Sequence, residues 1–423
     1  MSLASDRTPY AGVYRVPPGS TAVWDRPDRP PVITQDCGPD VWPHPDLEGP
    51  DVVDRYLDTF DSVVDELVVD GEPLCAAMSG GLDRPVHAFC HVPHPDAPIA
   101  SVGNWDPDDS DAARSMERAG PLTFVPIANL ERRQPLDVAD EVSQRCWFPV
   151  FNPGNAVWME SMRQRAHDLG ASQLWEGENG NSAFSFDHPY ALGHHLRHGE
   201  WSRAASVRRS YRESGLSDYR IAKRYLVGPI VRGAQRRLGP QRPTGIDPFA
   251  PRPRPAPMNS ERFRGWLSRQ GALSSGLQEA PGLASYVDPF TAQPVLDLAA
   301  AITPSEWLRY GTDRGYARRL GLGRVPDDIR LRTRRGGQSW DEWFIIHDQR
   351  ERYLDEAAAL KSTPIIGDAL DATSLARIRD EVARWSWGDP TAIPPMLHPV
   401  QRLFSLAGFV RSTTERLRGL PVV

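Results

Sequence analysis

The sequence predicts an α/β domain on a mainly parallel sheet, followed by a mostly helical region. Two observations carry this reading. Between residues 51 and 190, short apolar runs alternate with stretches of helical periodicity, the order that builds parallel sheets. After residue 190 the strand signals fade and helical ones take over. The 423 residues are long enough to bury a large core and to form more than one domain.

The elements follow in order. Residues 1–50 are rich in Pro, Gly and Asp and form an extension expected to lie against the body; 13–16 and 21–24 are expected to pair around Pro17-Pro18-Gly19-Ser20, a turn-forming set. From 51 to 69, Val52, Val53, Tyr56, Leu57, Phe60, Val63, Val64 and Leu67 recur at helical spacing, and Gly71 ends the helix. Residues 74–78 and 86–92 read as buried strands, 108–118 as a helix and 122–127 as a third strand. Residues 157–169 make a helix with Trp158, Met162 and Ala166 on one face, closed by Gly170. Gln173-Leu174-Trp175-Glu176 leads into Gly177-Glu178-Asn179-Gly180-Asn181. Further helices are expected at 201–212 and 219–225, then a Pro/Arg-rich linker or exposed loop at about 233–257, then helices from 260 onward. The expected division is therefore an extension at 1–50, an α/β domain at 51–190 and a mostly helical part at 191–423.

Composition removes several classes of function. Charged residues are 25% of the chain and the net charge is −6, with no basic excess to recommend nucleic acid as a partner. No apolar run approaches the roughly 20 residues needed to cross a bilayer, and the amino terminus has no apolar segment before its first charges. Cys37, Cys75, Cys90 and Cys146 show no zinc or redox spacing, so a reducing cytoplasm is expected. His87, His91 and His94, with Asp96 nearby, meet no recognised metal-ligand spacing, which favours structural or surface roles.

Three segments carry possible chemistry. Met78-Ser79-Gly80-Gly81-Leu82-Asp83 follows an apolar strand, where glycines let backbone amides approach a pyrophosphate and an aspartate can hold Mg²⁺. The same Ser-Gly-Gly also serves in ordinary turns. Glu178 could act as general base or stabilise charge on an attacking amine, or be a solvated loop carboxylate. Arg330-Leu331-Arg332-Thr333-Arg334-Arg335 is either an anion-binding loop or a solvated surface.

Ser79-Gly80-Gly81-Leu82-Asp83 resembles the pyrophosphate loop of the ATP-pyrophosphatase superfamily, and specifically of the asparagine synthetase family. That family's relatives include β-lactam synthetases and the asparagine-synthetase-like lasso peptide cyclases, to which this chain looks most similar. Other segments agree in order. The stretch from Thr8-Pro9-Tyr10-Ala11-Gly12 to Pro17-Pro18-Gly19 resembles the family's inter-domain segment. Asn155-Ala156-Val157-Trp158 resembles the start of the helix before the second catalytic loop, and Gly177-Glu178-Asn179-Gly180-Asn181 resembles that loop. Arg309-Tyr310-Gly311 and Val325-Pro326-Asp327 resemble the closing part.

The resemblance implies a synthetase domain of the ATP-pyrophosphatase type without the amino-terminal glutaminase domain, residue two being Ser2. It implies ATP and Mg²⁺, with Ser79, Gly80, Gly81, Leu82, Asp83, Gly177 and Gly180 on the nucleotide and Asp83 and Asn181 on the metal. Glu178, Arg334 and its neighbour Arg335 take the catalytic positions, arginine standing where the family has lysine. The implied reaction is adenylation of a carboxylate on a small molecule or peptide, followed by attack of ammonia or an amine from a separate donor or biosynthetic partner protein.

The pattern also departs from the family. Asp83 is followed by Arg84-Pro85 and then at once by the next apolar run, where a parallel crossover ordinarily takes a dozen or more residues. The expectation is that the two runs are not adjacent parallel strands, or that the first is displaced, and that a helix normally aimed at the phosphates is lost. Asn181 and Ser182 replace acids of the second loop. The alternative reading is thus a catalytically impaired relative with a scaffold or accessory role.

Overall fold

The structure, a computed structural model, describes residues 10, 13–14, 16, 20–26, 29–35, 47–77, 86–98, 105–106, 110–120, 122–150, 152–177, 180–184, 191–197, 199–213, 216–227, 283–302, 304–307, 314–332, 335–336 and 341–418. The expected linker at 233–257 lies outside them.

In the extension, β1 (Ser20–Val23) pairs antiparallel with β2 (Val32–Gln35), matching Val23 to Val32 and Thr21 to Thr34. The expected pairing of 13–16 with 21–24 falls partly outside the described residues; the pairing that is described joins Val23 and its neighbours to the downstream strand. Val32, Ile33 and Thr34 are β-branched and suit a strand, and Pro27, Pro30 and Pro31 between the two strands favour a loop.

The amphipathic stripe becomes α1 (Val52–Leu67), burying Val52, Val53, Tyr56, Val63 and Val64. After it Gly71 takes φ +84°, a left-handed turn open to glycine, and the chain enters β3 (Leu74–Ala77). β4 (Val86–His91), β6 (Leu122–Ile127), β7 (Gln173–Trp175) and β8 (Ser285–Val287) complete a sheet of order β6-β4-β3-β7-β8. Every pairing in it is parallel. Helices cover both faces. On one, Cys75, Phe89 and Leu174 pack on Met162 and Ala166 of α4 (Pro153–Asp168). On the other, Ala76 and Trp175 pack on Val64 of α1, and Arg114 of α2 (Ser110–Ala119) stacks over Phe124 at 5.7 Å. The carboxyl end of α4 closes as expected: Gly170 has φ +86°, its N–H donates to the His167 carbonyl at 2.8 Å, and Ala171 donates to Ala166 at 3.0 Å.

Two points are corrected here: of the alternatives for the runs at 74–78 and 86–92, that they are not adjacent parallel strands, and the limit of the sheet at residue 190. β3 and β4 are adjacent parallel strands, Leu74 opposite Val86 and Ala77 opposite Phe89, although only eight residues, 78–85, join them. The strands are short, so the chain returns only about 10 Å along the strand and steps about 5 Å sideways. Eight residues extend to about 27 Å, and a crossover helix is not needed for reach. Secondly, the sheet does not end before residue 190, because β8 comes from Ser285–Val287.

The remaining described structure is mostly helical. The helix Gln293–Ala301 packs under α1. In 341–418, Trp343, Tyr353, Trp385 and Phe404 form a buried aromatic cluster with Trp387 against it. The helix Leu397–Arg418 ties this cluster to the sheet domain: Ser405 Oγ donates to the Val150 carbonyl at 2.9 Å, and Arg416 donates to that of Gln144 at 2.8 Å.

Candidate functional site

The strand order reverses between β3 and β7, and open α/β sheets take ligands in the crevice outside the carboxyl ends of strands at such a point. β3 ends at Ala77, so the glycine segment leaves the sheet there. Ser79, Gly80, Gly81, Leu82 and Asp83 themselves lie outside the described residues, as do Glu178 and Arg334. β7 ends at Trp175, and Glu176 N–H donates to the Val287 carbonyl at 2.9 Å, carrying the ladder one residue further. The second segment therefore leaves the neighbouring strand on the same edge.

Gly180 has a packing reason to be glycine, whereas a side chain at Gly177 would meet only ordinary contact. Gly180 N–H donates to the Gly177 carbonyl at 3.0 Å. A Cβ on Gly180 would stand 3.1 Å from the Phe290 ring, and one on Gly177 would stand 3.5 Å from it. Phe290 is itself held by Phe60 at 4.9 Å and Phe184 at 5.3 Å. Asn181 lies in the single helical turn Gly180–Ala183, its side chain outside the described set. The Tyr56 hydroxyl pins that turn to α1 by donating to the Ala183 carbonyl at 2.6 Å. A cavity of about 250 Å³ is lined by Leu67, Glu176, Tyr286, Val287, Asp288, Thr291 and Ala292. Asp288 accepts from Phe290 N–H at 3.0 Å.

The basic segment is held at several points. Arg330 donates to the Arg318 carbonyl at 3.1 Å, and Arg318 donates back to that of Arg332 at 3.1 Å. Arg335 and Gly336 form β9 (Arg335–Gly336), parallel to β5 (Trp105–Asp106); the Arg335 side chain lies outside the described set. Asp341 then meets the carboxyl end of β4. Its Oδ1 is 3.5 Å from His91 Nε2, and its Oδ2 accepts from His94 N–H at 2.8 Å. Burial pushes the Asp341 carboxyl up, but the His91 ring, the His94 amide and its own backbone amide more than offset this and hold it below the usual aspartate range.

His91 therefore has a carboxylate partner in Asp341, while Asp96 lies beside His94. His94 Nδ1 accepts from Asp96 N–H at 3.1 Å. Among the described residues, no group of three His, Cys, Asp or Glu side chains could hold a metal ion. Trp158 packs against the core under the sheet, 5.9 Å from the His91 ring. Cys75 and Cys90 are buried, and burial pushes the Cys75 thiol up to about 11, which makes it a poor nucleophile.

The contact of Asp341 with His91 joins positions 250 residues apart and had no signal in the sequence. Nor did the cavity, because Glu176 and Asp288 come from separate strands. No described helix is long and apolar enough to cross a membrane. No family model matches the chain, and no curated protein matches it.

Proposed function

We propose that this protein is an asparagine-synthetase-like, ATP-dependent amide-forming enzyme built on an ATP-pyrophosphatase-type sheet. The observation that carries the reading is the placement of both candidate loops on neighbouring parallel strands, at the point where the strand order reverses. A glycine segment leaving β3 and an acidic segment leaving β7 would face one crevice, the geometry that lets one ligand meet both. In the reaction, a substrate carboxylate oxygen attacks the α-phosphorus of ATP and pyrophosphate leaves. The amine nitrogen then attacks the acyl carbon, and AMP leaves with the C–O bonding pair.

In this reading the backbone of Ser79, Gly80 and Gly81 binds pyrophosphate oxygens, and Asp83 with Asn181 would hold Mg²⁺, which supplies charge neutralisation. Arg334 and Arg335 add fixed positive charge for the leaving group, and Glu178 takes the proton from the amine. The substrate is a carboxylate on a small molecule or peptide. The cavity beside Glu176 and Asp288 is the proposed place of the acceptor amine.

A second reading is favoured by a specific observation. The connection of eight residues between β3 and β4 is too short for the usual crossover helix, whose amino terminus would otherwise stabilise the phosphates. That reading is a non-catalytic relative acting as a scaffold or accessory protein. ATP–pyrophosphate exchange with saturating Mg²⁺, across a panel of carboxylates and peptides, separates the two. Exchange that disappears in Asp83→Asn is expected for the enzyme. Folded protein showing neither exchange nor nucleotide binding would establish the second reading.

A further inference from the structure

We propose that Asp341 is a positioning residue that clamps the end of the arginine-rich segment onto the carboxyl edge of β4. The inference rests on the amide-forming reading for its catalytic consequence and on geometry alone for the clamp. Among the described residues, the chain from Arg330 to Asp341 is held at its start, where Arg330 donates to the Arg318 carbonyl and Arg318 to that of Arg332, in its middle by the β5–β9 pairing, and at its end by Asp341. The first tie lies within the helical part. Among these contacts of the described residues, the last reaches the central sheet directly, at the edge where β3 and β7 end.

The clamp has the form of a built contact, not a surface coincidence. The Asp341 side chain is 3% exposed and that of His91 is 9% exposed, so the contact is shielded from bulk water and weakly screened by salt. Each carboxylate oxygen has its own partner, the His91 ring and the His94 amide. Aromatic rings close the sides: Trp158 lies 5.9 Å from His91, and Phe344 lies 5.2 Å from His94. Arg132 stacks over the outer face of Phe344 at 4.3 Å, holding that ring in place. Asp341 itself starts the helix Glu342–Ile346, whose five residues are all buried. Its position is therefore fixed from the helical core on one side and from the sheet on the other. Four residues, 337–340, separate it in sequence from Gly336 of the β5–β9 pairing.

A residue acting in this way should change the placement of the arginines without touching substrate. Charge on a leaving pyrophosphate develops in the transition state, so loosened arginines lower kcat more than they raise KM for ATP. Asp341→Asn keeps the size of the side chain and an oxygen for the His94 amide, while removing the charge that faces His91. Hydrogen exchange of the full chain is the direct test. The amides of Arg335 and Gly336 are expected to exchange at least tenfold faster in Asp341→Asn, with those of Leu397–Arg418 unchanged. Pyrophosphate release at saturating ATP is expected to fall about tenfold, with KM for ATP within twofold. His91→Gln should reproduce both effects in weaker form, and it guards against a variant of Asp341 that fails to fold. Unchanged exchange at 335–336 in both folded variants would overturn the clamp. So would acceleration spread evenly through the helical core, which marks a purely structural role. If the parent protein releases no pyrophosphate, the amide-forming reading fails, and hydrogen exchange still decides whether Asp341 holds the segment.

Discussion

The helical region at 341–418 and the sheet with its covering helix α4 fill their interiors differently, although the helical region also buries the Glu342 carboxylate beside His398. In the helical region large rings fill the interior, Trp343 lying 6.0 Å from Trp385 and Tyr353 lying 5.8 Å from Phe404. Its indole N–H groups are satisfied close by, Trp343 donating to the Asp389 carbonyl at 2.7 Å and Trp387 to that of Val382 at 2.8 Å. At the sheet the buried set includes charges. Arg163 and Glu160 lie within α4, Asp341 stands against His91, and Trp158 Nε1 is buried with no hydrogen-bond partner among the described residues. The first region gains from shape and apolar area. The second keeps ionic groups in fixed places, which adds little to stability and much to definition. The difference teaches where to look: the aromatic cluster for stability, and the edge of the sheet for the proposed chemistry.

The contrast can be broken or sharpened by substitution. The largest loss of stability is expected in the aromatic cluster. Trp343→Ala should cost about 3–5 kcal/mol, seen as a lower urea midpoint, with any nucleotide affinity of the remaining folded protein unchanged. A comparable loss of affinity in still-folded protein would show that the two regions are coupled.

Arg163 tests the seam. Its Nε donates to the Ala284 carbonyl at 2.8 Å, just before β8, and its guanidinium stacks over Tyr286 at 5.2 Å. Glu160, beside it, also pairs with Arg145. Arg163→Met should cost about 3 kcal/mol, because it removes a buried pair partner and leaves the Ala284 carbonyl unmatched. Glu160→Gln should cost less. Equal costs would mean that the charge, and not the tie to β8, matters.

The smallest effect concerns Asp140, in the helix Pro135–Cys146 that packs on Leu397–Arg418. Burial first, then the Glu356 carboxylate, push its pKa up to about 6, against the opposing pull of Arg411 and Arg352. The folded protein then holds this proton more tightly than the unfolded chain, so stability should fall as pH rises from about 4 to about 6. Asp140→Asn should flatten that window and raise stability at pH 7 by about 1 kcal/mol, allowing for screening at a half-buried site. Thermal melts at pH 4, 5, 6 and 7 would check it.

Legibility in the sequence follows the same division. The stripe from Val52 to Leu67 was plain because eight apolar residues keep one helical period. Leu122–Ile127 was visible as a compact apolar run. β8 was not, since Ser285-Tyr286-Val287 is three residues long and gains its meaning only beside β7. The adjacency of β3 and β4 was misjudged because the rule for parallel crossovers assumes strands of ordinary length and a helix between them. Of the site, the sequence placed the two glycine-bearing segments after strands, and both strands lie side by side. It offered nothing on Phe290 behind Gly180 or on Asp341 against His91, contacts that arise only when distant segments meet.

The most direct test of the central claim is calorimetric titration of ATP into the folded protein, with and without Mg²⁺, alongside Asp83→Asn. A nucleotide site at the reversal of strand order predicts saturable binding that strengthens with Mg²⁺ and loses that dependence in Asp83→Asn. The same weak or absent heat in all four titrations, with melting curves showing both proteins folded, would contradict it.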